Sequence, residues 1–159
     1  FETLPADLPR ALELFHARQF RGLNLTVPHK VLAFDRVASV ASAAQPVGAV
    51  NTLVWTSHGW AGHNTDGYGI AAALQQDLSC NVTGAHVILL GAGGAARSAA
   101  VECLNRRCAS LSIGNRSREK LDALLALLHP LAKGVPLRGF APDLHVIERR
   151  LAALAGSDA

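Results

Sequence analysis

Apolar positions recur at helical spacing over residues 6–19, where Leu8, Leu12 and Phe15 share one face. From Gly22 the period changes to two. Leu23, Leu25 and Val27 alternate with Asn24 and Thr26, which predicts a strand over 22–27. Pro28 ends that strand, and its fixed φ suits the first turn of a helix over about 29–37. A second short helix is predicted over 37–44, broken by Gln45-Pro46. Residues 49–55 are strand-like, Ser57-His58-Gly59 is a turn, and Trp60 begins a return strand, so this stretch reads as a hairpin. The polar, turn-forming Asn64-Thr65-Asp66-Gly67 precedes a helix over about 68–78.

The texture then changes. His86-Val87-Ile88-Leu89-Leu90 is nearly continuously apolar, the signature of a strand buried on both faces. A glycine-rich turn, a helix over about 95–107, a strand over 109–113 and a helix over 118–128 follow. A short strand around 135–137 and a last helix over 143–155 complete the pattern. The order β-α-β-α-β-α predicts an α/β fold with a parallel sheet and right-handed crossovers. The boundary between two units is expected near residues 77–84, giving domains 1–80 and 81–159.

Composition narrows the class. Of 159 residues, half are apolar and 17% charged, enough apolar side chains for a packed core and too few charges for wholesale disorder. No apolar run approaches the roughly 20 residues that span a bilayer. The net charge of +3 suits an anionic small ligand and is too dispersed for nucleic acid. Arg106-Arg107 and Arg149-Arg150 read as solvated helix ends. Three cysteines without CxxC spacing suit free thiols in a reducing compartment, and seven scattered histidines form no metal-ligand pattern. With no Met anywhere, the sequence reads as a piece of a longer chain.

Gly91-Ala92-Gly93-Gly94-Ala95-Ala96 fits G-x-G-x-x-[GA] directly between a predicted strand and helix, the context that gives this pattern value. Gly91 permits the tight turn, Gly93 lets backbone approach a pyrophosphate, and Ala96 allows close helix–sheet packing. The helix start then offers free N–H groups and a dipole to a phosphate. An NAD-preferring site places a carboxylate at the end of the next strand; this chain has Asn115-Arg116-Ser117-Arg118. An Arg there can pair with the 2′-phosphate of NADP. Asn115 or Ser117 can equally cap the following helix with the Arg side chains in solvent, and capping and binding can coexist.

Three polar clusters lie in the first half: Asn24-x-Thr26-x-Pro28-x-Lys30, Gly48-Ala49-Val50-Asn51-Thr52 and Asn64-Thr65-Asp66-Gly67. Each sits at or near a strand end, where open α/β sheets bind ligands. They offer amides, hydroxyls, one ammonium and one carboxylate, with no nucleophile triad. That inventory suits a polyhydroxylated substrate and proton transfer better than covalent hydrolysis. Singly, each has a plainer role: Lys30 on a solvated helix face, Asn51 at a strand edge, Asp66 as an N-cap. Together with the glycine turn they point to a redox site.

In order and spacing, these three clusters, the glycine turn and Asn115-Arg116-Ser117 resemble the shikimate dehydrogenase family. The resemblance implies a two-domain α/β architecture, with a substrate-binding domain and a Rossmann-type NADP-binding domain. Both are incomplete here, because the family's N-terminal Ser-x-Ser loop and C-terminal segments lack counterparts. It implies reversible, NADP-dependent reduction of 3-dehydroshikimate to shikimate in aromatic amino-acid biosynthesis. The implied setting is a cytoplasmic monomer or homodimer acting on a small molecule, with no nucleic-acid, membrane or metal partner. By position, Lys30 and Asp66 match the catalytic pair, and Asn24, Thr26, Asn51 and Asp66 match substrate contacts. Gly91, Ala92, Gly93, Gly94 and Ala95 match the dinucleotide loop. Asn115, Arg116, Ser117 and Arg118 match the region that holds the 2′-phosphate. A quinate/shikimate dehydrogenase, or a ligand-sensing relative without turnover, are the alternatives.

Overall fold

The computed structural model describes residues 1–155. It divides into two compact units, one spanning Phe1–Asp66 and a second beginning at Gly67.

The first unit opens with a helical turn, Pro5–Asp7, that runs into α1 (Leu8–Ala17). Pro9 lies in the first turn of α1, where a missing N–H costs nothing. Gln19 takes a positive φ just beyond the helix end. Leu8 and Leu12 bury the predicted face against Ala33, Val50, Leu53 and Trp60. Phe15 meets Phe1 and Phe20 edge-to-face at its margin.

Four strands form a mixed sheet: β1 (Gly22–Asn24), β2 (Ser39–Val40), β3 (Thr52–Thr56) and β4 (Gly59–His63), in the order β1-β3-β4-β2. The predicted hairpin is β3–β4, antiparallel, with Trp55 opposite Trp60. Between β1 and β2 lies α2 (His29–Phe34), with Pro28 as its N-cap after a cis Val27–Pro28 bond.

Two predictions in this unit need correction. The strand expected over 22–27 stops at Asn24, because β3 supplies a partner only that far and Thr26 turns to accept from the His29 amide. The helix expected over 37–44 does not form. Ala38 and Ala41 instead donate to the carbonyls of Trp60 and Gly62, flanking the parallel pairing of Ser39 and Val40 with β4. Eight residues are too few to sustain a helix alone, and the open hairpin edge offers ready-made partners.

The second unit holds α3 (Asp66–Leu78, begun on the last residue of the first unit), β5 (His86–Leu90) and α4 (Gly94–Asn105). It continues with β6 (Ser110–Gly114), α5 (Arg118–Leu128), β7 (Leu137–Phe140) and α6 (Leu144–Ala155). The three strands make the predicted parallel sheet in the order β5-β6-β7. Leu111 and Ile113 of the central strand are fully buried, with Leu121, Leu124 and Leu128 of α5 also in the core. Ser117 caps α5 by accepting from the Lys120 amide.

Strand β5 departs from expectation. It lies at the sheet edge, Val87, Ile88 and Leu89 are only half-buried, and Leu90 is 60% exposed. Its apolar run suits a flanked strand, whereas among the described residues it has β6 on one side alone. Among the described residues, no helix is long and apolar enough to cross a membrane.

Candidate functional site

Lys30 and Asp66 come from separate segments and meet. Lys30 is the second residue of α2, held in place because its carbonyl accepts from the Val50 amide at 2.9 Å. Asp66 opens α3. Lys30 Nζ donates to Asp66 Oδ2 at 2.8 Å, with the two side chains 19% and 20% exposed. Asp66 is therefore not a helix cap. Both carboxylate oxygens are committed elsewhere, Oδ2 to Lys30 and Oδ1 to Asn51 Nδ2 at 2.7 Å.

Asn51, just before β3, is the hub of this network. Its Nδ2 donates to Asp66 Oδ1 and to Thr65 Oγ1. Its Oδ1 accepts from the Thr65 amide at 3.0 Å and from Thr52 Oγ1 at 3.0 Å. A carboxylate on one side and a backbone N–H on the other settle the orientation of the amide. Thr52 Oγ1 also reaches Asn24 Oδ1 at 3.2 Å, which joins β1 to the hub.

Of the residues singled out from the sequence, Lys30, Asp66, Asn51 and Asn24 thus share one hydrogen-bonded group. Thr26 stays outside it. It lines, with Asn24, Leu25 and His29, an apolar cavity of about 130 Å³. There His29 Nε2 contacts the Thr3 carbonyl oxygen, and its buried Nδ1 has no partner among the described residues. A larger cavity of about 400 Å³, beside Trp55, Trp60 and His16, includes none of the candidate residues.

Asn64, Thr65 and Thr52 were visible only as parts of motifs, without roles of their own. The one advance signal was the Asn-Thr-Asp-Gly turn, since Asn two residues before a helix start bonds local backbone.

In the second unit the glycine turn and the basic segment begin side by side. Leu90 pairs with Gly114 across parallel strands, and the Gly91 amide donates to the Gly114 carbonyl at 2.7 Å. Both loops therefore leave the carboxyl end of the sheet, where ligands bind in open α/β folds. Gly91 has φ +125°, which a side chain resists. Gly93 is the N-cap of α4 and Gly94 its first residue.

A Cβ added at Gly93 or Gly94 would meet no atom within 4 Å. Protein packing does not require these glycines, and the space over the helix start is open to a phosphate. Ala92 is half-buried in the turn, and Ala95 is exposed on the first turn of α4.

Beyond β6, Asn115 Nδ2 donates to the Ser117 carbonyl at 2.8 Å. Arg118 pairs with Asp122 one turn along, the two side chains 80% and 51% exposed. That bond and charge raise the Arg118 pKa further above its ordinary value. Arg116 is exposed and has no ion pair or hydrogen bond among the described residues. The glycine cradle and this unengaged guanidinium fit a dinucleotide carrying an extra phosphate. No group of three or more His, Cys, Asp or Glu side chains among the described residues is placed to hold a metal ion.

Comparison with known proteins completes the picture. Residues 1–53 match a family model described as the shikimate dehydrogenase substrate binding domain. A curated relative from Thermosynechococcus vestitus, named shikimate dehydrogenase (NADP(+)), is 40% identical over 82% of this chain and 47% of its own length. The chain thus spans about half the length of the curated relatives it matches.

Among solved structures, the shikimate 5-dehydrogenase of Listeria monocytogenes, in complex with shikimate and NAD, superposes with a TM-score of 0.85 at 27% identity, covering 97% of this chain and 54% of its own. The 5-ketofructose reductase of a Gluconobacter strain gives 0.79 at 32% identity, covering 90% of this chain and 50% of its own.

Proposed function

We propose, from the premise that this chain belongs to the shikimate dehydrogenase family, that it carries the proton-transfer group and the phosphate cradle of an NADP-dependent oxidoreductase. The reaction is the interconversion of 3-dehydroshikimate and shikimate in aromatic amino-acid biosynthesis. Residues 1–80 would bind the substrate and 81–159 the cofactor, in a cytoplasmic monomer or homodimer. The observation that carries this reading is the 2.8 Å contact of Lys30 with Asp66, with Asn51 on the second carboxylate oxygen.

When bound, the cofactor supplies a hydride to the ring ketone. Lys30, as an ammonium, donates a proton to the ketone oxygen as negative charge develops there, and takes it back in the reverse direction. Asp66 aims that ammonium through the 2.8 Å contact. Asn51 fixes the Asp66 carboxylate, and a substrate hydroxyl reaching Asn51 would displace the exposed Thr65 hydroxyl from it. Asn24 and Thr26 would add contacts at the rim. In the second unit, Gly91, Ala92, Gly93, Gly94 and Ala95 would receive the pyrophosphate at the start of α4. Arg116, with Asn115, Ser117 and Arg118 around it, would take the 2′-phosphate.

The test is NADPH absorbance with shikimate and NADP, using the full-length protein as wild type and as Lys30→Ala. Turnover should fall by roughly 10²–10⁴-fold, the usual worth of a positioned proton donor, while NADPH affinity is preserved. Equal loss of turnover and of NADPH affinity would remove Lys30 from the chemistry. Binding of both ligands by the wild type without any signal would favour a ligand-sensing relative. A larger kcat/KM for quinate than for shikimate would move the substrate assignment.

A further inference from the structure

We propose that Asn64 is a positioning residue whose side-chain amide clasps the segment entering β3 to the start of α3, and so sets where the Asp66 carboxylate meets Lys30. Its kinetic readout rests on the dehydrogenase reading above; its geometry does not.

Asn64 Nδ2 donates to the Ala49 carbonyl at 3.0 Å, and Asn64 Oδ1 accepts from the Asp66 amide at 3.1 Å. Both bonds are half-buried. Reversing the amide would set N–H against N–H and oxygen against oxygen, so its orientation is determined. The amide next to Ala49, that of Val50, donates to the Lys30 carbonyl at 2.9 Å. The Lys30 ammonium returns to Asp66 at 2.8 Å. The backbone of Lys30, residues 49–50, Asn64 and Asp66 therefore close one circuit of hydrogen bonds.

A parallel link runs through Asn51, but it uses the side-chain amide that a substrate hydroxyl would engage. The bonds of Asn64 fall on backbone atoms alone, so they persist when Asn51 turns to a ligand. Among side chains of this size, only Asn offers a donor and an acceptor on two separate atoms, as the Ala49 carbonyl and the Asp66 amide require. Asp keeps the acceptor toward Asp66 and sets a second carboxylate against the Ala49 carbonyl. Ser keeps a local turn acceptor and is too short to reach Ala49.

The experiment compares wild type with Asn64→Ser and Asn64→Asp in two ways. In shikimate-dependent NADP reduction, kcat should fall roughly 10- to 100-fold, as expected for a displaced catalytic group. The KM for NADP and the thermal midpoint should stay close to wild type, which general loss of structure would not allow. By NMR, hydrogen exchange of the Asn51 side-chain amide should quicken about tenfold as the clasp opens. Folded variants with wild-type kcat, or with unchanged Asn51 exchange, overturn the proposal. A full-length wild type inactive on shikimate defeats the dehydrogenase reading, while Asn51 exchange still decides the role of Asn64. Should Asn64→Ser fail to fold, Asn64→Asp, which keeps the bond to the Asp66 amide, supplies the same readings.

Discussion

Two glycines in the first turn of α3 should respond oppositely to the same added methyl group. Gly67 is buried, and a Cβ there would lie 2.7 Å from the Ser98 carbonyl oxygen and 2.9 Å from Glu102 Cβ. Both atoms belong to α4, and neither is the free end of a flexible side chain. Relief requires α3 to move off α4, a kind of overpacking that costs about 1–3 kcal/mol. Gly69 is exposed, and its Cβ would meet nothing within 4 Å. There Gly→Ala recovers only the helix-propensity difference, about 0.5–1 kcal/mol.

That gain is shared by both variants, so the stability gap between Gly67→Ala and Gly69→Ala measures the strain alone, about 1–3 kcal/mol. Urea unfolding of the two variants and wild type reads it, with a common m-value showing that only stability has changed. Gly69→Ala should unfold at higher urea than wild type and Gly67→Ala at lower. If both are stabilised alike, the close α3–α4 crossing is wrong.

Two further outcomes follow from the second unit. Gly93→Ala adds a Cβ into open space at φ −85°, so the thermal midpoint should hold while NADP binding, by fluorescence titration, weakens about tenfold or more; unchanged affinity would place the phosphate elsewhere. Burial, with neighbouring Cys108 and Glu102 adding to it, pushes the Cys103 thiol up from 9.0 to about 11, and burial also raises Cys108. At pH 8 the Cys103 thiolate is then about a hundredfold scarcer than in a free thiol. Iodoacetamide should label exposed Cys80 first, with Cys103 reacting only as pH climbs toward 11. The protonated Cys103 favours the fold, so that contribution is whole below pH 9 and fades as pH rises through about 11. Equal labelling rates for all three thiols would contradict this burial.

Much of the architecture was legible because local signals agreed with the final packing. The helix expected at 118–128 appears with those bounds, since Ser117 supplies its cap and Leu121, Leu124 and Leu128 supply one apolar face. The hairpin at Trp55 and Trp60 and the strand–glycine turn–helix around Gly91 likewise carry their own turn chemistry. The fate of residues 37–44 was not legible. Their composition permits a helix, and only the free edge of β4, distant in sequence, turns Ser39 and Val40 into a strand. Asp66 shows the same limit at the candidate site. Its place before a helix reads as a cap, and only folding brings Lys30 and Asn51 to its two oxygens.

By itself, then, the chain determined what depends on neighbours a few residues away: periodicity, caps, turns and the glycine cradle. Those are set by backbone sterics and short-range hydrogen bonds, which are readable in any window of ten residues. The tertiary structure alone decided the strand order, the half-exposure of β5 and the circuit joining Lys30, Val50, Asn64 and Asp66. Those depend on which groups meet across 36 residues of sequence between Lys30 and Asp66, a matter of three-dimensional closure that no local pattern encodes.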